Sequence, residues 1–484
     1  MMSRAIDHIT LLTCLCALIF NSCTSDVQLL KTYIIKLQNE GKFAQVDSMI
    51  SDFLSTNSRL ANGENRELEF ELELNRRIMN DYRLTKQKLF DDLDKRIENV
   101  SQNEFEQWLI EGRFDMLRVN DEFRFVNPSV SNLLFRYPEL RKRRKNYSTE
   151  SLQARQAKSM YQEGGDAVVL PRRCRVTQTL RVKEGIIPEE ETVRCWLPYP
   201  TIFATQTDVQ FVSSSPDYKW IAHPTSQIRS VYMEAVSDES VQFELSYFYT
   251  AYVYYREINP DLVEPFSGIE PEYEIYTREE SPHEIFSVQM RQLSAEIIKD
   301  VKNPYLKARL IYDWIADSIK YSYAREYSTL RNISAYCLEK KYGDCGQQAI
   351  LFITLCRIAG VPARWQSGFL TFPGQEGMHD WAEIFIKPYG WIPVDPYMGI
   401  FFTSMTEDLT PEERGEMRKY YFGNIDNYRL VANKGHNQIL YPRKKHFRSE
   451  TVDFQRGEVE WAEKNLYFTD WSWSIEVNEV KPAL

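Results

Sequence analysis

Lys341-Tyr342-Gly343-Asp344-Cys345-Gly346-Gln347-Gln348-Ala349 leads straight into an apolar stretch from Ile350 to Ile358, with Gly360 just beyond it. A run of that length makes about three to four helical turns, and a glycine past its end is a usual C-terminal stop. The spacing puts Cys345 in the first turn of a buried helix. Unpaired backbone N–H groups and the positive end of the helix dipole there favour a thiolate, whereas an ordinary thiol has a pKa of about 8.5. Downstream, His379 heads the alternating run His379-Asp380-Trp381-Ala382-Glu383-Ile384-Phe385-Ile386, and Asp395 ends Trp391-Ile392-Pro393-Val394-Asp395-Pro396. Alternation predicts strands, and a helix followed by two strands can bring the three side chains together. A thiol nucleophile needs a base to take its proton and return it to the leaving group, which suits His379. It also needs a carboxylate to hold the imidazole in one tautomer, which suits Asp395. Taken singly, a buried cysteine is an inert apolar group, a histidine is a polar residue and Asp-Pro is a turn. Taken in this order with these flanks, the three read as a Cys-His-Asp triad.

The Gly343-Asp344-Cys345-Gly346 block, the following Ala359-Gly360-Val361-Pro362-Ala363-Arg364 and the strand Trp365 to Phe369 resemble the core of the transglutaminase-like superfamily. So do the blocks around His379 and Asp395, and the likeness covers residues 285–400. The resemblance implies a papain-like α+β core, with the cysteine helix packed against an antiparallel sheet. It leaves the reaction open, because the superfamily includes crosslinking transglutaminases, cysteine peptidases, de-glycosylating amidases and inactive relatives. Asp380 stands where the family pattern has a small or apolar residue. Strand alternation turns it away from His379, so the triad is expected to be undisturbed. The backbone N–H of Cys345 is a natural oxyanion donor, and Tyr321 and Tyr342 are the candidates for a second donor.

Arg4 precedes an apolar run from Ile9 to Phe20, followed by Asn21-Ser22-Cys23. The run is too short to span a bilayer and suits a signal peptide over residues 1–22. A cysteine in that position resembles a bacterial lipoprotein signal with Cys23 as the lipidated residue. The expectation is an exported chain, anchored through its N-terminal lipid to the bacterial cell envelope; plain secretion with cleavage near Ser22 is the alternative. Cys174, Cys195, Cys337, Cys345 and Cys356 then remain, an odd set that leaves at least one free thiol. Cys174 and Cys195 fall in separate β-like runs and fit either a disulfide or two buried thiols. No CxxC pair or histidine cluster suggests a metal, and no cofactor is expected.

A chain of 484 residues exceeds one ordinary core. The expected class is multidomain α+β. Residues 23–165 read as a mainly helical accessory region, with a hairpin of helices about Gly41, a long charged helix from Glu64 to Glu98, a Ser101-capped helix and a β-hairpin from Phe114 to Val126. Residues 170–260 alternate like a β-sandwich, 260–284 form a Pro- and Glu-rich linker, and 285–400 form the catalytic core. Residues 401–484 extend the chain onto the core or the sandwich. The net charge of −10 is spread along the chain, with no basic stripe for nucleic acid. Three functions fit: a thiol hydrolase of peptide or amide bonds, an acyltransferase that crosslinks proteins, and a binding module that retains the fold. An intact triad disfavours the third, and an envelope setting favours hydrolysis. The substrate is a protein or peptide, with a peptidoglycan stem peptide or a glycopeptide both open.

Overall fold

The computed structural model describes residues 23–57, 62–161, 167–238 and 240–480, so the segment read as a signal peptide lies outside the described residues. The chain divides into two compact units, residues 1–133 and 134–484.

In the first unit, helices Cys23–Asn39 and Phe43–Thr56 form the expected hairpin. The chain turns at Gly41, which has φ +75° and no room for a side chain, since a Cβ there would lie 2.0 Å from the Arg118 carbonyl oxygen. Ile34, Leu37, Val46, Ile50 and Leu68 close a small core beneath it. The run expected as one long helix is two, Asn62–Asp81 and Lys86–Arg96. Thr85 caps the second by accepting the Lys88 N–H, and Leu84 exchanges backbone hydrogen bonds with Phe125. A local cap and a strand bridge thus outweigh the helical periodicity. Strands β1 (Met116–Val119) and β2 (Glu122–Phe125) form the expected hairpin. Its two turn residues, Asn120 and Asp121, both take positive φ, as a tight hairpin turn demands.

In the second unit, helices Pro138–Arg141 and Leu152–Ser159 precede β3 (Ala167–Val182), β4 (Thr192–Pro198), β5 (Gln206–Ser215), β6 (Tyr218–Ile221), β7 (Ser230–Val236) and β8 (Gln242–Tyr255). After three helices come the two-residue strands β9 (Lys320–Tyr321) and β10 (Tyr342–Gly343), then β11 (Ala363–Leu370), β12 (Gly377–Ile386), β13 (Gly390–Val394) and β14 (Arg429–Asn433). Strands β15 (Glu458–Glu460), β16 (Asn465–Leu466) and β17 (Trp471–Glu479) end the chain. Two antiparallel sheets, ordered β16-β15-β4-β7-β6 and β17-β3-β8-β5, face each other across a shared core that includes Val176, Leu180, Leu197, Met233 and Leu245. The C-terminal strands complete both sheets, while β14 joins the other sheet, β13-β12-β11-β14. The two destinations expected for residues 401–484 are therefore both used, by different strands. Cys174 and Cys195 lie in opposite sheets as buried free thiols.

Helix Cys345–Ile358 is buried from Cys345 through Arg357 and packs against β11 and β12. Ile350, Leu351, Phe352, Ile353 and Leu355 are wholly inaccessible, so each contributes about 1.5–3 kcal/mol through burial. Apolar residues all round this helix explain why its sequence lacks an amphipathic stripe. Helices Val288–Ile298, Pro304–Ser318 and Ile333–Lys340 cover its outer side.

Candidate active site

Asp344 caps the buried helix. Its side chain accepts the Gln347 N–H, and the Gln347 side chain accepts the Asp344 N–H in return, a complete capping box. This fixes Cys345 as the first helical residue, as the sequence predicts. Cys345 is 9% exposed, whereas the other four free cysteines are wholly buried. Its Sγ lies 3.7 Å from Asp380 Oδ2. Tyr327 donates its hydroxyl to Asp344 Oδ1 at 2.7 Å and lies 3.4 Å from Asp380 Oδ2, while Gln455 Nε2 donates to Asp380 Oδ1 at 3.0 Å.

Two expectations fail here. The helix start does not leave a ready thiolate: burial, followed by the charges of Asp380 and Asp344, pushes the Cys345 thiol well above its ordinary pKa. Nor is Asp380 clear of the site. Strand alternation does separate it from His379, but both faces of β12 are buried. A side chain turned away from His379 is therefore turned toward the cysteine helix. Burial and Asp344 hold the Asp380 carboxyl far above the usual carboxylate range. The packing is tight enough to require Gly346, where a Cβ would stand 2.1 Å from the Tyr327 hydroxyl and 2.7 Å from Asp380 Oδ2.

Asp380→Asn removes a titrating acid from beside the thiol while keeping its size. Iodoacetamide labelling of Cys345 in this variant should reach its half-maximal rate at a pH at least about one unit below the parent's, because the thiol then ionises without a neighbouring negative charge. A midpoint that stays put or rises would show that Asp380 does not govern the thiol.

On the opposite side of β12, His379 Nε2 and Asp395 Oδ2 are 2.8 Å apart. The same oxygen accepts Arg429 Nη1 at 2.7 Å, and Asp395 Oδ1 accepts the Met398 N–H as cap of helix Pro396–Ser404. Arg429 also pairs with Asp426 at 2.9 Å. Burial works to raise the Asp395 carboxyl, but His379 and Arg429 outweigh it and bring its pKa down to about 2. Burial lowers the imidazole's pKa, and Asp395 only partly opposes that, so His379 rests neutral at pH 7. With Nε2 facing Asp395, Nδ1 is the nitrogen left to take a proton.

Of the three sequence-predicted residues, then, His379 and Asp395 are directly bonded. Cys345 joins them through shared neighbours: the Tyr397 ring lies 5.1 Å from that of His379 and belongs to the same apolar cluster as Cys345. Tyr321 packs against this cluster, 5.0 Å from Tyr397 between ring centres. Tyr342 instead lies beneath the Arg136 guanidinium, 4.3 Å away. Arg429, Asp426, Tyr327 and Gln455 went unnoticed in the sequence. Each comes from a segment outside the three blocks, and nothing in local spacing marks it.

A second polar cluster lies apart from these residues. Glu280, Glu284 and His436 place possible ligand atoms within 4.8 Å of one another. Glu280 already accepts from Arg357 at 3.1 Å, and His436 lies 2.6 Å from Glu284, a contact that raises the imidazole pKa against burial. Arg357 and His436 thus already supply partners to Glu280 and Glu284.

No helix among the described residues is long and apolar enough to cross a membrane. Residues 291–396 match the family model of the transglutaminase-like superfamily core. The chain is 24% identical over 144 residues to the uncharacterized protein YebA of Bacillus subtilis, covering 25% of this chain and 19% of that one. It is 23% identical over 195 residues to an uncharacterized protein of Haemophilus influenzae, covering 34% of this chain and 51% of that one. The matched region thus spans at most about half the length of these relatives. Among solved structures, a candidate cysteine protease from Cytophaga hutchinsonii aligns at TM-score 0.42 and 13% identity, over 66% of this chain and 94% of that one. The periplasmic domain of TgpA from Pseudomonas aeruginosa aligns at TM-score 0.25 and 13% identity, over 49% of this chain and 91% of that one. The α+β unit that carries Cys345, His379 and Asp395 is, over residues 291–396, a core domain of the transglutaminase-like superfamily.

Proposed function

We propose that the protein is a cysteine-dependent hydrolase of peptide or amide bonds. The observation that carries this reading is the buried His379–Asp395 pair, linked through the Tyr397 ring to the cluster that holds a cysteine at a helix start. In this scheme the Cys345 thiol turns from Asp380 toward His379, and Nδ1 takes its proton. The sulfur attacks the substrate carbonyl, with the Cys345 backbone N–H and a second donor, Tyr321 before Tyr342, stabilising the oxyanion. The imidazolium, held by Asp395, protonates the departing amine and leaves a thioester on Cys345. Water, activated by the again neutral His379, then releases the acid. An amine in place of water would give acyl transfer by the same steps.

Incubation of the purified protein with a peptide library and an amine donor, read by mass spectrometry, separates the two reactions. Hydrolysis predicts cleaved peptides with free carboxylates and few amine adducts. Products that are mainly amine adducts would make the chain an acyltransferase, and no product at all would remove the enzyme reading.

We also propose that Cys23 carries a lipid anchor and that the enzyme works in the bacterial envelope, a reading that rests on the Ile9–Phe20 run and the cysteine behind it. Labelled palmitate should enter the parent and be absent from Cys23→Ser. Labelling that persists in the variant would reject the anchor.

A further inference from the structure

Within the second unit, a cavity of about 190 Å³ lies between β8 and the face of the core sheet opposite the cysteine helix. Its walls include the aromatic rings of Phe203, Tyr254, Trp381 and Trp391. Gln366 stands in its lining, 3% exposed. The orientation of this amide is fixed, because Trp381 Nε1 is a donor only and lies 2.6 Å from Gln366 Oε1. Gln366 Nε2 is therefore the end left over, and it is buried with no hydrogen-bond partner. Rotating the amide would set donor against donor, so the mismatch cannot be repaired internally. A buried donor left unmet is unfavourable.

The charged groups around the cavity make no matching demand. Glu383 is held by Arg364 at 2.6 Å and Asp426 by Arg429 at 2.9 Å. What the cavity offers is a space with aromatic rings in its wall and an unmet buried donor on Gln366, the general form of a small-molecule site. Cavities of this order take one benzene-sized ring. An anionic ligand would bury its charge against one neutral donor, which is unfavourable.

We propose that this cavity binds a compact, uncharged ring compound bearing a carbonyl oxygen, which accepts a hydrogen bond from Gln366 Nε2. The occupant would rest on Trp381, whose ring stacks on His379 at 5.6 Å, and beside Arg429, which holds Asp395. The site is thus distinct from the thiol and touches the residues that position the imidazole. The proposal does not depend on the reaction that Cys345 performs.

Benzamide is the probe, titrated calorimetrically into the full chain, with toluene and benzoate as controls. Benzamide should bind at one site, about ten-fold or more tighter than toluene, which lacks the acceptor, or benzoate, which carries a charge. Gln366→Glu keeps the acceptor for Trp381 and removes the open donor, so it should weaken benzamide by about ten-fold or more. Ala204→Trp, at an exposed position on the rim, should block all three without disturbing the core. No benzamide binding to the parent would mean that the cavity holds water alone, and the proposal falls. It falls equally if binding is unchanged in both variants, or if toluene binds as well as benzamide.

Discussion

Cys345→Ala should lower turnover by at least about 1000-fold while leaving the melting temperature unchanged or raised. Only Sγ is lost, and it is a sulfur buried against the Asp380 carboxyl. Alanine is the better helix former and brings no polar atom to that contact. Cys174, Cys195, Cys337 and Cys356 cannot substitute, since each is wholly inaccessible. Turnover measured beside a thermal melt separates loss of chemistry from loss of fold. Retention of more than about a tenth of parental activity would place the nucleophile elsewhere.

Asp395→Asn should lower turnover by about 1000- to 10,000-fold with little change in fold, since an amide beside His379 Nε2 favours the wrong tautomer. Asparagine can still accept the Met398 N–H and so keep the helix cap. Arg429 keeps its second carboxylate, Asp426. The pH dependence gives an independent readout. The Asp395 pKa falls to about 2 in the fold, below an unfolded value of about 3.9. Its stabilising contribution is therefore complete above about pH 4 and is lost as pH falls toward 2, on the order of 2 kcal/mol. Denaturant melts from pH 6 to pH 2 should show the parent losing that increment and Asp395→Asn lacking it. A variant that loses stability with acid as the parent does would mean that Asp395 is not held ionised by His379 and Arg429.

Much of the core was legible because its signals are local. The apolar run after Cys345, the glycine stop at Gly360 and the alternation about His379 each lie within or beside one element, and the structure places them accordingly. Turn chemistry at Asn120-Asp121 was equally readable. What escaped depends on partners distant in sequence. The long charged helix is broken by a bridge between Leu84 and Phe125, which periodicity cannot register. The fate of Asp380 depends on what covers each face of β12: alternation gave its direction but not the thiol waiting there. The ionisation of Cys345 depends on distant partners in the same way, since a helix start favours a thiolate and burial and the neighbouring carboxylates oppose it. Arg429 reaches Asp395 from a strand that sequence treated as an extension of the core or the sandwich.

The chemical fate of one sulfur tests a cysteine-dependent mechanism most directly. Acid-quenching the enzyme during turnover of a cleaved peptide, then mapping its digest by mass spectrometry, should find the acyl half of that peptide as a thioester on Cys345, in larger amount in Asp395→Asn if deacylation is the slower step there. An acyl group on any other residue, or active enzyme that never carries one, would contradict it.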